Sequence, residues 1–110
     1  MDKVVQLAVE QQIGLDEILI QLKKDLVLSG IDTDFFDEVN NIDELAQDMV
    51  KFVEELLQHR QDLFSNFIYR IDLPENQIKN IDESDLQTGF AKLVLGRIVQ
   101  KIFFRKKFSQ

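Results

Sequence analysis

From Ile42 to Ile71 the apolar residues return every three or four positions: Ile42, Leu45, Ala46, Met49, Val50, Phe52, Val53, Leu56, Leu57, Leu63, Phe64, Phe67, Ile68 and Ile71. At about 100° of rotation per residue they share one broad face, while Asp43, Glu44, Gln47, Lys51, Glu54, Glu55, Gln58, Asp62 and Ser65 fall opposite. The pattern predicts one amphipathic helix over 42–71, about 45 Å long at about 1.5 Å per residue. A kink near His59 is compatible with it, but no proline or glycine there demands one.

The remaining apolar periodicity predicts shorter elements. Residues 3–12 read as a short helix with Val4, Leu7 and Ala8 inward, interrupted by Gly14. Leu15, Ile18, Leu19, Leu22 and Leu26 form one stripe of a helix from Leu15 to Leu28, and Gly30 stands where a helix C-terminus commonly places glycine. Residues 31–41 read as a loop or single turn pinned to the core by Phe35 and Phe36. Asp72 is expected to cap a short helix carrying Pro74 in its first turn, and Ser84 with Gln87 has the spacing of a capping box for a final helix over 84–107.

In that final helix the apolar residues, from Leu86 through Phe108, cover well over half the circumference. A helix apolar nearly all round is buried nearly all round. It must lie at the centre of the bundle or complete its burial against a second copy or a partner. Gly89 and Gly96, both inside it, are expected to permit close helix packing. The fold class that follows is all-α: a single helical domain over 1–110, a compact bundle of four or five helices, the long helix packed on the C-terminal one.

Composition supports this class and narrows the chemistry. One proline and four glycines are too few for the frequent turns of an all-β domain. With 45% hydrophobic and 30% charged residues, the chain is too apolar for disorder. There is no cysteine, which rules out disulfides and thiolate chemistry. The segment MDKVVQLAVEQQ lacks a signal-peptide core, and no run approaches the roughly 18 apolar residues of a membrane span. A cytoplasmic location is the expectation.

Charge is unevenly placed. The formal net charge is -7, yet residues 1–85 carry -13 and residues 86–110 carry +6 with no acid. The chain closes on QKIFFRKKFSQ, four cations and three phenylalanines. Two accounts compete. In the first, cations near a helix C-terminus are favoured by the macrodipole, by about 0.3–1 kcal/mol each, and a basic helix sits among acidic neighbours. In the second, Arg105, Lys106 and Lys107, with Lys101, supply charge and Phe103, Phe104 and Phe108 supply apolar anchors for docking. An acidic protein partner or a homo-oligomer through the C-terminal helix suits that account better than a membrane surface or nucleic acid. Three to six cations are few for either of those, and the acidic body would repel both.

Two other positions stand out. Arg60 falls in the middle of the apolar face of the long helix, so it is expected to be buried in an internal ion pair or to snorkel out along its neighbours; an anion site or partner contact is the functional alternative. Tyr69 falls on the polar face, where its ring is expected to be covered by the following loop; the alternative is an exposed anchor that forms with Arg70 and Asp72 a candidate recognition patch. His59 is the only histidine, so neither a multi-histidine metal site nor a nucleophile–histidine triad can be assembled. The acidic stretch DTDFFDE lacks the glycine and the alternating ligands of a calcium loop. No cofactor, metal, catalytic residue or small-molecule substrate is inferred. The expectation is a non-enzymatic cytosolic protein-interaction or regulatory module. The alternative is a nucleic-acid or membrane-surface accessory protein using the basic tail.

Two stretches resemble known proteins. FIYRIDLPE, residues 67–75, and AKLVLGRIVQKIFFRKKF, residues 91–108, resemble a group of small bacterial helical proteins; this implies a compact helical fold and transfers no functional residue. KVVQLAVEQQIGLDEILIQLKK, residues 3–24, resembles the first helices of the N-terminal module of bacterial translation initiation factor two, carried by Val5, Leu7, Ala8, Glu10, Ile18, Leu22 and Lys23. That likeness implies a local helix-turn-helix.

Overall fold

The structure, a computed structural model, describes residues 2–108, with side chains from Gln6 onward. Among the described residues there are six α-helices and no strand. They are α1 (Asp2–Glu10), α2 (Leu15–Leu28), α3 (Ile42–His59), α4 (Gln61–Ile71), α5 (Glu75–Lys79) and α6 (Leu86–Phe108). Short 3-10 turns occupy Asp34–Phe36 and Glu83–Asp85.

α6 is the axis of the molecule. Its 23 residues span about 35 Å, most of the 40 Å longest dimension, and it packs against all five other helices, most extensively α3. Ala91, Val94, Leu95, Ile98, Val99 and Ile102 are buried in one stripe at helical spacing, flanked by half-buried Phe90, Leu93 and Phe103. Burial nearly all round is therefore only partly met. Leu86, Phe104 and Phe108 remain exposed.

The ends of α2 and the start of α3 follow their local chemistry. At the start of α2 the Glu17 carboxylate accepts the Gly14 N–H at 3.0 Å. At its end Gly30 adopts φ +80°, the left-handed region glycine enters without a Cβ penalty. Ile31 N–H then bonds Leu26 O at 2.9 Å and Gly30 N–H bonds Val27 O at 3.0 Å, the two bonds of a Schellman motif. Asn41 caps α3 by accepting the Glu44 N–H at 2.9 Å. Phe36 is fully buried and stacks edge-on against Phe52 of α3 at 5.1 Å, pinning the 31–41 segment; Phe35 is half out in solvent. Ala8 is buried and Leu7 borders on exposure, while the Val4 side chain lies outside those described.

The long helix does not form. The chain breaks at Arg60, whose φ of -143° and ψ of 66° end α3 and start α4. A straight helix of 30 residues would measure about 45 Å, more than the 40 Å the whole molecule spans. The break keeps both halves on α6, and Phe52 of α3 still meets Phe67 of α4 edge-on at 6.1 Å. Arg60 is consequently not in a buried ion pair. Its side chain is 57% exposed and grips Asp62, two residues on, with bonds of 3.2 and 3.1 Å. That pairing pushes the Asp62 carboxyl down and the Arg60 guanidinium up, each toward its charged form. Gln61 takes the carbonyl of Leu57 freed by the break, at 3.2 Å.

Two capping expectations are also corrected. Asp72 does not start α5; it ends α4 in the left-handed conformation, φ 60°, and Pro74 precedes α5 in an extended conformation. Ser84 does not cap α6, because it lies inside the 3-10 turn with its N–H, at 3.0 Å, and its hydroxyl, at 2.8 Å, donated to Asp82. Asp85 takes over, accepting the Thr88 N–H at 3.3 Å.

Candidate functional site

The basic half of α6 is largely spoken for. Glu17, Gln21 and Asp25 recur every four residues along α2 and so form one polar stripe, beside the buried row of Ile18, Leu22 and Leu26. α6 lays its cations along that stripe in reverse order. Lys101 approaches Asp25 at 3.5 Å, Arg105 donates to Gln21 Oε1 at 2.9 Å, and Lys106 meets Glu17 at 2.6 Å. Gln21 also donates to Asp25 at 3.2 Å, which joins the rungs. The inner rung is buried: the Asp25 side chain is 3% exposed. The outer rung lies in water, where the Lys106 ammonium, followed by the Gly14 N–H, holds the Glu17 carboxyl below its ordinary value.

Phe104, Lys107 and Phe108 lie off this ladder. Phe104 and Phe108 stack at 6.0 Å, and the Lys107 ammonium stands 5.8 Å from the ring centres of both Phe103 and Phe108. The eight candidate residues of the sequence therefore separate. Lys101, Arg105 and Lys106 bind the body of the protein, Phe104, Lys107 and Phe108 form an exposed basic–aromatic end, and Tyr69 with Arg70 lies on α4.

Tyr69 is 89% exposed, the most exposed of the large hydrophobic side chains described. It stands on the lip of an open groove of about 370 Å³ between α4, α5 and the start of α6. Phe64, Ile68, Leu73, Ile78 and Phe90 make the apolar floor; Asp72 and Glu75 give the rim its charge. Phe64 and Phe90 meet edge-to-face at 4.9 Å, so the floor is rigidly packed.

A second groove, of about 350 Å³ and open to solvent, runs along α6 between α1 and α5. Leu7, Leu93, Phe103 and Phe104 supply its apolar surface, and Lys92 and Arg97 its charge. Arg97 is held in place: it donates to Ile71 O at 3.2 Å and to Gln100 at 2.9 Å, and lies 3.9 Å from Asp72. The two glycines of α6 differ here. A methyl at Gly89 would collide with the side chain of Ile81, so that glycine permits close packing. A Cβ at Gly96 would meet nothing within 4 Å, so close packing does not account for it; it lines the groove instead.

Sequence periodicity missed the Glu17–Gln21–Asp25 stripe because it lies beside the apolar face rather than interrupting it. Its spacing of four, matched by Lys101 and Arg105 on α6, was the available signal. The grooves are assembled from three segments each and have no local signature. Among the described residues no helix is long and apolar enough to cross a membrane. No protein-family model, curated protein or solved structure matches the chain.

Proposed function

We propose that the protein is a non-enzymatic cytosolic interaction module that docks a segment of a protein partner beside Tyr69. The observation that carries this is the tyrosine itself: a ring 89% exposed at the lip of an apolar groove. Tyrosine combines a large apolar face with a polar tip and few torsions to fix, which is why it recurs among the residues that dominate interface energies. The rim carboxylates Asp72 and Glu75 favour a partner segment with an apolar anchor and a cationic flank. The ladder on α2 also bears on the choice. It engages Lys101, Arg105 and Lys106, which leaves too few cations near the C-terminus for a phosphate backbone.

The test is affinity capture from host lysate with the native protein and with Tyr69→Ala, followed by titration calorimetry of each captured protein after purification. A partner is expected whose affinity drops at least about tenfold in the variant, or about 1.4 kcal/mol. Partners captured and bound equally by both proteins would refute docking at Tyr69.

A further inference from the structure

Glycine inside a helix costs about 1 kcal/mol relative to alanine. Gly89 has a packing reason for that cost; Gly96 has none, since the space beside it is empty. That empty space is part of the floor of the groove on α6, between Leu93 and Phe103. We propose that this groove docks an acidic amphipathic helix of a protein partner, with an apolar side chain seated over Gly96 and carboxylates facing Lys92 and Arg97.

Three features select that occupant. The first is sign. Among the described residues Lys92 and Arg97 are the charged side chains lining the groove; Lys92 takes part in none of the ion pairs described, while Arg97 stands 3.9 Å from the exposed Asp72. The net charge of -7 opposes an acidic partner at long range, but beyond about 8–10 Å it is screened at physiological salt, so the local cations decide. The second is length. From Leu93 to Phe104 the groove follows α6 for about 16 Å, three helical turns, which matches apolar anchors at i, i+3 or i+4, and i+7. The third is shape. The groove lies open at the surface between α1, α5 and α6, whereas small-molecule sites bury about 70–90% of their ligand. Arg97 is fixed by Ile71 O and Gln100 and stands 3.9 Å from the exposed Asp72, so it adds positioned charge at little cost in order, while Lys92 is the cation with no acidic partner among the described residues.

The test is selection of a displayed library of random peptides of about 16 residues, about four helical turns, against the native protein. Each selected peptide is then titrated against Gly96→Leu, Lys92→Glu and Tyr69→Ala. Gly96→Leu fills the groove floor from a position with open space, and Lys92→Glu reverses the local charge without touching the core. Circular dichroism confirms that each variant is folded, and the Lys92 variant stands alone should the Gly96 variant not be. The expected result is a set of net-acidic peptides with apolar residues at helical spacing, bound at least about tenfold more weakly by both groove variants and unchanged by Tyr69→Ala. Three results would overturn the proposal: no peptide above background, basic or neutral peptides, or peptides indifferent to the groove variants. Sedimentation covers the remaining occupant: a native dimer that Gly96→Leu dissociates would assign the groove to a second copy instead.

Discussion

Replacing Lys101 by methionine tests whether the basic end of α6 is structural. The substitution keeps the length and most of the apolar stem of a side chain that is 24% exposed, and removes its charge. Asp25 then remains with a side chain 3% exposed and only the Gln21 amide, at 3.2 Å, donating to it. Breaking a buried pair from one side typically costs about 3–5 kcal/mol. Here the lower end is expected, because the 3.5 Å separation is long for a charged hydrogen bond and Lys101 retains some solvent. A loss of about 3 kcal/mol in a domain of this size lowers Tm by about 10 °C or more. Replacing both partners, Lys101→Met with Asp25→Leu, leaves no buried charge and should recover most of that loss. Urea unfolding followed by helical circular dichroism measures all three proteins, with Lys107→Gln, off the ladder, as a control expected within about 0.5 kcal/mol of native. If Lys101→Met matched that control, the ladder would be an incidental contact and the cations would again be free for docking.

Gly96→Ala should stabilise the protein by about 0.5–1 kcal/mol, read as a rise in urea midpoint, since alanine is the better helix former and its methyl meets nothing. Gly89→Ala should do the reverse, by about 1–3 kcal/mol in the same assay, because the methyl must displace Ile81. Glu17 has a folded-state pKa held below its unfolded value by Lys106, so its contribution is present above the ordinary carboxylate pKa and is lost as pH falls through the lowered one. Glu17→Gln should therefore lower stability at neutral and alkaline pH, with the deficit vanishing in acid, so that the acid side of the stability–pH curve flattens. The Asp34 carboxyl is raised, chiefly by the charge of Asp32, so Asp34→Asn should raise Tm at neutral pH and lose that advantage in acid.

What was legible in the chain was whatever depends on near neighbours. The stripe of α2 and its glycine C-terminus and the single turn pinned by Phe36 follow from spacing within a few residues, whereas for Tyr69 spacing gave only the polar face, and that the following loop leaves its ring uncovered was settled by the tertiary structure. Arg60 was misread for the complementary reason. Over 42–71 the apolar period runs on without a proline or glycine, so nothing local argued for a break. The break shows only in the tertiary packing, where the turn at Arg60 lets α3 and α4 both lie against α6. Ser84 does not cap because it lies inside the 3-10 turn with its hydroxyl donated to Asp82, and Asp85, next to the helix start, accepts the Thr88 N–H instead.

The sequence by itself determined that this protein is all helical, where most of its helices lie, and that a basic helix would have to live with an acidic body. Hydrophobic period and turn chemistry are enough for that, because they act within one or two turns. Only the tertiary structure decided which cations those acids would claim, that α3 and α4 are two helices, and that one glycine of α6 faces a neighbour while the other faces an open groove. Those outcomes depend on which segments, up to 84 residues apart, share a surface. That is set by the joint burial of all six helices, not by any one of them.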